Sequence, residues 1–269
     1  LGVQLFERSR AWTLLSPEGR ELLPLAREIL EQYQHLMETA HNSSLDMGGT
    51  FKLGVSLTLG PYLLPQLLPE LHQRYPKLKL HLREGDPKDL ETGLRKGAFD
   101  LIMTVLPMQS MENRVRPLFT EPIKVVTSQE HPLARKEIIS GSDLQGESVL
   151  TIDDHFHLHR RIAGLCERFG AELKRDFEGN SLDTMSQMVM MNQGIAFLPA
   201  LFVQSELQKG AALHVLTMEE EPVVRNHVAA WRTNSSSRHL FQKLSFDLKA
   251  IAMEKNPGIL TEVLTEENV

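Results

Sequence analysis

The chain has 269 residues, 41% of them hydrophobic and 24% charged, a composition typical of a globular protein with one or two buried cores. Its longest apolar runs fall well short of the roughly 18 residues that a membrane helix needs, so we expect no membrane partner. The formal net charge of −6 argues against a DNA-binding face on these residues, because neutralising phosphates requires basic side chains. The single cysteine, Cys166, excludes an internal disulfide and fits a reducing cytoplasm. The chain starts at Leu1 without a signal peptide, and we expect the true N-terminus to lie upstream.

The first predicted element is a helix, with Ser16 as its N-cap and Pro17 at its first position. Apolar residues then alternate at steps of four and three, as Leu22, Ala26, Ile29, Tyr33, Leu36 and Ala40. This heptad pattern predicts a helix that pairs with a partner helix. The alternative is an amphipathic helix that lies on its own domain.

After Gly49 the pattern changes to alternating strands and helices, which is typical of a parallel or mixed sheet covered by helices. The predicted strands are residues 51–56, 78–82, 99–105, two short strands within 117–127, 149–152, 194–198 and 223–231. The predicted helices are residues 60–75, 87–96, 158–169, 181–192 and 237–253. The acidic tail from Asn256 is expected to fray.

Several segments resemble LysR-type transcriptional regulators and follow that family's order. LGVQLFER followed by LSPEG resembles the end of the family's winged helix-turn-helix and the start of its linker helix. LTLGPYLLPQLLPELHQRYPKLKLHLREG resembles the first strand-helix-strand of its effector domain, and DLIMTVLP, LFTEPIKVV, HPLA and NQGIAFLP come after it. The resemblance covers residues 1–249.

The resemblance implies an α/β fold, a two-subdomain effector domain like the periplasmic binding proteins, preceded by a dimerising linker helix. The implied division is 1–15 for the remnant of the winged helix-turn-helix, 16–48 for the linker helix, 49–123 with 226–253 for regulatory subdomain I, 124–225 for subdomain II and 254–269 for a C-terminal tail. The chain would cross between the subdomains twice, which makes a hinge. Arg8 and Arg10 are candidates for contacts with the DNA backbone.

Two segments are most similar to the peroxide-sensing OxyR branch: GPYLLPQLLPELHQRYPKL and DDHFHLHRRIAGLCERFGA. That branch carries a peroxidatic cysteine in a Gly-His-Cys triplet and a partner cysteine nine residues later. Here Cys166 keeps the partner's position, and His157 stands at the peroxidatic one. A thiol–disulfide switch needs two thiols, so we do not expect the OxyR mechanism. We expect Cys166 to be buried and inert, with redox activity of Cys166 or of the methionines near 185–191 as the alternative.

The effector site is expected in the cleft between the two α/β units, at strand carboxyl ends and helix N-termini. The candidate effector-binding residues are Ser56, Thr58, Leu59, Thr104, His155, Phe156, His157, Ser181, Leu182 and Pro199. Backbone N–H groups at a helix start favour a carboxylate or another polar ligand there. For Ser56 and Ser181, simple helix capping is the alternative.

Three histidines, His155, His157 and His159, alternate in sequence. On extended chain they would share one side and would suit zinc or copper, whereas on a helix they would not face each other. We favour polar loop histidines, with His157 lining a pocket, and we predict no cofactor. The chain shows no GxGxxG, P-loop, HExxH or GxSxG motif in a suitable context, which disfavours an enzyme.

The predicted function is that of a LysR-type regulator whose hinged domain binds a small effector or senses a chemical signal. Ligand-driven closure would then change the geometry of a dimer or tetramer on promoter DNA. The expected partners are promoter DNA, bound through the missing N-terminal domain, and the small effector. The chain is also expected to form a homo-oligomer, a dimer through the linker helix and then a tetramer. The alternative is a hinged solute-binding protein for a small anion or metal, without a DNA role. It would need an export signal and would leave the heptad helix unexplained.

Overall fold

The computed structural model describes residues 2–8, 13–26, 29–30, 33, 49–109, 112–153, 157–174, 181–220 and 223–263. The chain divides into two compact units, Leu1–Met47 and Gly48–Val269. Within the described ranges, no helix is long and apolar enough to cross a membrane.

The first unit contains a two-stranded hairpin, in which β1 (Phe6–Arg8) pairs antiparallel with β2 (Thr13–Leu15). A helix follows from residue 17. The predicted cap is confirmed, because the Gly19 N–H donates to Ser16 Oγ at 2.8 Å. The Ser16 hydroxyl in turn donates to the Gln4 carbonyl at 2.6 Å, which ties the start of the helix to the hairpin.

Part of the apolar stripe of this helix is described. Ile29 is 67% exposed and Tyr33 is 59% exposed, so the described part of the chain leaves this stripe open to solvent. Arg8 lies in β1, with its side chain outside the described residues, as is all of Arg10.

The second unit is a mixed α/β structure built on a curled ten-stranded sheet. Its strands are β3 (Gly49–Ser56), β4 (Leu78–Gly85), β5 (Leu101–Val105), β6 (Asn113–Ser128), β7 (Ile138–Ile139), β8 (Ser148–Leu150), β9 (Glu172–Leu173), β10 (Ile195–Pro199), β11 (Leu213–Met218) and β12 (Val224–Arg232). Its α-helices are α1 (Gly60–Arg74), α2 (Pro87–Arg95), α3 (His157–Phe169), α4 (Leu182–Met190), α5 (Ala200–Gln208) and α6 (Arg238–Lys255). The strand order is β4-β3-β5-β12-β6-β10-β8-β9, and β11 pairs with both β6 and β7.

Strand β6 runs unbroken for 16 residues, so the prediction of two short strands within 117–127 is wrong. Its first part pairs with β12 and its second part with β10 and β11. Proline cannot donate to a ladder, and beside Pro117 the register shifts, because Leu118 is an extra residue of β6 between the pairs Phe119–His227 and Pro117–Val228. Strand β6 therefore joins the ladder with β12 to the ladders with β10 and β11.

The prediction of a frayed tail from Asn256 is also wrong as far as residue 263. The Asn256 side chain donates to the Gln66 side chain on α1 at 2.8 Å. Thr261 forms two backbone hydrogen bonds with Thr120 on β6, at 2.8 and 3.0 Å. Leu260 is 3% exposed. The segment is held because its apolar side chain and its backbone polar groups both find partners.

Two glycines provide a matched test of this packing. Gly194, just before β10, has φ +151°, and a Cβ there would lie 2.5 Å from the Ser148 carbonyl oxygen. Gly164 lies within α3, where a Cβ would meet nothing within 4 Å. We expect Gly194→Ala to lower the free energy of unfolding by about 1–3 kcal/mol or more. Gly164→Ala should raise it by about 0.5–1 kcal/mol, since alanine favours the helix.

Urea unfolding of both variants measures these changes. A Gly194→Ala protein as stable as Gly164→Ala would contradict the described approach of β10 to β8.

Candidate functional site

A narrow cleft opens at the carboxyl ends of the parallel strands β3 and β5, and most of the roughly 460 Å³ of space at its mouth is open to solvent. Its walls are mainly apolar and come from several elements, among them Pro87, Val105, Leu106, Ile123, Ile152, Leu158 and Val224. Its polar side chains are Ser56, Thr58, Arg161 and Arg225. An apolar cleft with a few converging polar groups is the usual form of a small-molecule site.

Arg225, on β12, lies at one side of this cleft and is 8% exposed. Its Nη1 donates to Thr58 Oγ1 at 2.7 Å, and its Nη2 donates to the Thr58 carbonyl at 2.9 Å. Its Nε and Nη2 both reach Glu121 Oε2 at 2.8 Å. The guanidinium thus joins the turn after β3 to the middle of β6.

Glu121 is fully buried and receives hydrogen bonds from three residues on two elements, β12 and α5. Oε2 accepts from Arg225 and from His227 Nε2, the latter at 2.8 Å. Oε1 accepts from the Leu201 N–H at 2.9 Å, in the first turn of α5, where the helix dipole also favours a negative charge. Glu121 tolerates complete burial because these donors replace the water that its carboxylate loses.

Opposing effects act on the pKa of Glu121. Burial alone would raise it, but the Arg225 charge, the His227 hydrogen bond and the Leu201 N–H outweigh burial and lower the pKa to about 2. Burial also lowers the pKa of His227, against the hydrogen bond to Glu121. His227 is therefore neutral with its proton on Nε2, since an ionised carboxylate only accepts. Its buried Nδ1 has no partner within the described residues.

Two hydroxyl groups in the cleft are placed to donate hydrogen bonds to a ligand that accepts them. Ser56 and Thr58 lie with their oxygens 3.3 Å apart. Because Thr58 Oγ1 accepts from Arg225, its own proton is available to Ser56 or to a ligand. Arg161, an exposed residue on α3, donates to the Val224 carbonyl and brings a further positive charge to the cleft.

The structure brings Ser56 and Thr58 together but places other candidates elsewhere. Ser181 caps α4 by accepting from the Thr184 N–H at 3.1 Å, which is the capping role that was the alternative. Leu59 and Thr104 are fully buried, and the Thr104 hydroxyl has no partner among the described residues.

Two further candidates serve the packing around helix starts. Leu182 is 3% exposed in the core, and Pro199 precedes the first residue of α5. Neither Leu182 nor Pro199, nor Leu59, Thr104 or Ser181, is among the residues that line the cleft.

The histidine cluster falls largely outside the described residues, which omit His155, Phe156 and the side chain of His157. His157 and His159 both belong to α3, where positions two apart do not face each other. The His159 Nδ1 lies 2.9 Å from the Ile152 carbonyl oxygen instead. In the described part of the chain, no three His, Cys, Asp or Glu side chains are placed to hold a metal.

Cys166 lies in α3 and is 4% exposed, and burial raises the pKa of its thiol. Both features make it a poor nucleophile, because the thiolate is the reactive form. Met185 is buried in the core, whereas Met191 at the end of α4 is 70% exposed. Core packing thus accounts for Met185 but not for Met191.

The sequence did contain a signal for the residues that were missed. Glu121 stands within LFTEPIKVV and Arg225 within VVRNHVAAW, each a charge inside an apolar strand. A charge in that context requires a partner, and here the two residues face each other in the ladder.

Removing the charge of Glu121 should change how stability depends on pH. The pKa of Glu121 in the folded chain is about 2, below its ordinary 4.5. The carboxylate therefore stabilises the fold above about pH 4.5, and this contribution is lost as the pH falls toward about 2. We expect Glu121→Gln to lower the free energy of unfolding at pH 7 by about 3–5 kcal/mol, because Arg225 is left buried without its counter-charge.

The same substitution should make acid destabilisation shallower between about pH 4.5 and 2. Urea unfolding across this pH range measures both effects, with Glu254→Gln on the exposed face of α6 as the control. Equal stability of the two variants at pH 7 would show that the buried pair does not hold the site.

Comparison with known proteins identifies the family of this chain. The LysR substrate binding domain family matches residues 46–245. The hydrogen peroxide-inducible genes activator of Pectobacterium carotovorum subsp. carotovorum is 34% identical over 245 residues, which are 91% of this chain and 81% of that protein.

The DNA-binding transcriptional dual regulator OxyR of Escherichia coli strain K12 is 33% identical over 250 residues, covering 93% of this chain and 82% of that protein. The crystal structure of the oxidized form of OxyR matches with a TM-score of 0.70 at 32% identity, over 78% of this chain and 98% of that one. These matches extend the resemblance from short motifs to the whole fold. The chain therefore belongs to the LysR family of transcriptional regulators and is close to the OxyR branch.

Proposed function

We propose that this regulator responds to a small effector with an oxyanion group, bound in the cleft between Thr58, Ser56, Arg161 and Arg225. The observation that carries the proposal is the guanidinium of Arg225, which spans from the cleft hydroxyl of Thr58 to the buried carboxylate of Glu121. A ligand that engages Thr58 thereby acts on a group that holds several elements together.

The chemistry of the cleft selects the effector class. Ser56 and Thr58 offer hydroxyl protons, and Arg161 supplies a positive charge that the described contacts do not neutralise with a carboxylate. The remaining walls are apolar. This combination favours a carboxylate or a similar oxyanion on an apolar body, since charge-assisted hydrogen bonds are the strong ones.

The relatives' names point to hydrogen peroxide, but this chain lacks the means for a two-cysteine switch. It has one cysteine, which is buried and whose pKa is raised by burial. Reversible binding of an effector needs no second thiol. We therefore place the signal in the cleft and not at Cys166.

Strand topology supports a hinged response. Strands β6 and β12 would connect subdomain I (49–123 and 226–253) to subdomain II (124–225). The Glu121–Arg225 pair lies close to both crossings, since the two residues are partners in the ladder. A ligand that binds the closed form better would shift the population toward it by its differential affinity.

Regulators of this family bind promoter DNA and act as oligomers, and the first unit fits such a role. Its exposed apolar side chains Leu25, Ile29 and Tyr33 suit a dimer through the linker helix. A tetramer of two such dimers on promoter DNA in the cytoplasm completes the proposal, with Arg8 and Arg10 near the DNA backbone. The family membership favours this role over a transporter's solute-binding protein and over an enzyme.

Ligand titrations monitored by thermal melting test the effector class. We expect a carboxylate from a panel of small organic acids to raise the melting temperature of the chain in proportion to its affinity and concentration. Arg161→Gln and Thr58→Val should each weaken that ligand by about tenfold or more, the effect of losing one charge-assisted hydrogen bond.

The control is Arg168→Gln, seven residues further along the same helix, where the arginine stacks on Phe169 instead. A ligand whose affinity is unchanged by Arg161→Gln and Thr58→Val does not bind in this cleft. A response to peroxide that Cys166→Ser abolishes would replace the effector proposal with thiol sensing.

A further inference from the structure

A second pocket lies away from the cleft, between the first part of β6, the helix α6 and the C-terminal segment. It contains about 1110 Å³ of space, part of it open to solvent. The charged and aromatic side chains that line it are Arg114, Arg116, Trp231, Phe246, Lys249 and Glu262.

Two regular spacings create this pocket. Arg114 and Arg116 are two residues apart on β6 and therefore project from the same face of the strand. Phe246 and Lys249 are three residues apart on α6 and share one face of the helix. The strand and the helix thus place three cationic side chains around one space.

The positive charges of the pocket are only partly compensated. Lys249 forms an ion pair with Glu262 at 2.6 Å. The Arg116 guanidinium carbon lies 3.2 Å from the centre of the Phe246 ring, and its buried Nε has no hydrogen-bond partner within the described residues. Among the described residues that line the pocket, Glu262 is the only acidic one, so one carboxylate faces three cations there.

The position of Glu262 is fixed by the C-terminal segment, which is hydrogen-bonded to β6. Its neighbour Thr261 forms two backbone hydrogen bonds with Thr120, and this bridge brings the Glu262 carboxylate over Lys249. Glu262 is 68% exposed in its side chain, so a competing anion has access to the same cations. An exposed ion pair of this kind contributes little and is readily exchanged.

We propose that this pocket is a second ligand site, which takes a small carboxylate- or phosphate-bearing molecule in competition with Glu262. Guanidinium groups match both kinds of oxyanion in geometry, and Phe246, with half of its surface exposed, offers an apolar contact beside them. The site is distinct from the cleft around Arg225, with which it shares no lining residue.

Isothermal titration calorimetry with citrate and with pyrophosphate, at constant ionic strength set by sodium chloride, tests the proposal. All proteins carry Arg161→Gln, so that the cleft does not contribute to the measured binding. We expect saturable binding of at least one probe below about 10 mM. Binding of citrate alone, of pyrophosphate alone or of both identifies which oxyanion the site accepts.

Two variants make the test specific. Arg114→Gln should weaken the bound probe by about fivefold or more, because it removes an exposed cation without disturbing the core. Glu262→Gln should tighten it by about threefold or more, because the competing carboxylate is gone. A merely structural role of these residues would not move affinity in opposite directions.

The proposal is overturned if neither probe binds saturably, or if Arg114→Gln and Glu262→Gln bind the probe as the parent protein does. If the titrations are repeated at a higher sodium chloride concentration, equal loss of binding in all three proteins would also overturn it, since that pattern indicates unspecific attraction.

Discussion

The rest of the structure depends on the carboxylate of Glu121, which has left water entirely. Moving such a charge out of water costs several kcal/mol unless donors replace the solvent. The donors here come from β12 through Arg225 and His227, and from the start of α5 through the Leu201 N–H. The turn after β3 joins the same network through Thr58. Elements far apart in the chain are therefore held in one geometry by one buried charge.

The same constraint underlies our proposal that ligand binding in the cleft acts on the fold. Thr58 is the point where the buried network reaches the cleft surface, and within the described residues Arg225 links its hydroxyl to Glu121. In this proposal, a ligand that accepts a hydrogen bond from the Thr58 hydroxyl would strengthen or redirect the Arg225 contact. Since β6 and β12 both carry members of this network, such a change reaches the strands that cross the sheet. Coupling between sites requires an element of this kind that both sites bias.

Local sequence patterns predicted much of the fold, including α1, α2, α3 and the cap Ser16, with capping by Ser181 as an alternative. Helix α5 was missed because ALFVQSELQ begins directly after β10 and has no capping side chain or clear apolar stripe. Strand β6 was divided in two because prolines normally interrupt ladders, and the pairing of β6 with β12 through an irregularity beside Pro117 is not visible in a local window.

The site was less predictable than the fold. Strand ends indicated Ser56 and Thr58, because ligands bind where parallel strands end. Glu121 and Arg225 are 104 residues apart, and only the completed sheet makes them neighbours. The isolated charges within apolar strands were the available signal, but their pairing is a tertiary property.

A double-mutant cycle on Glu121→Gln and Thr58→Val tests the central claim most directly. Thr58 and Glu121 both bind Arg225, so removing either should change what the other contributes to stability. We expect a coupling of about 1 kcal/mol or more between the two substitutions in the free energy of unfolding. Additivity within about 0.3–0.5 kcal/mol would show that the cleft and the buried carboxylate are independent, and would contradict the account.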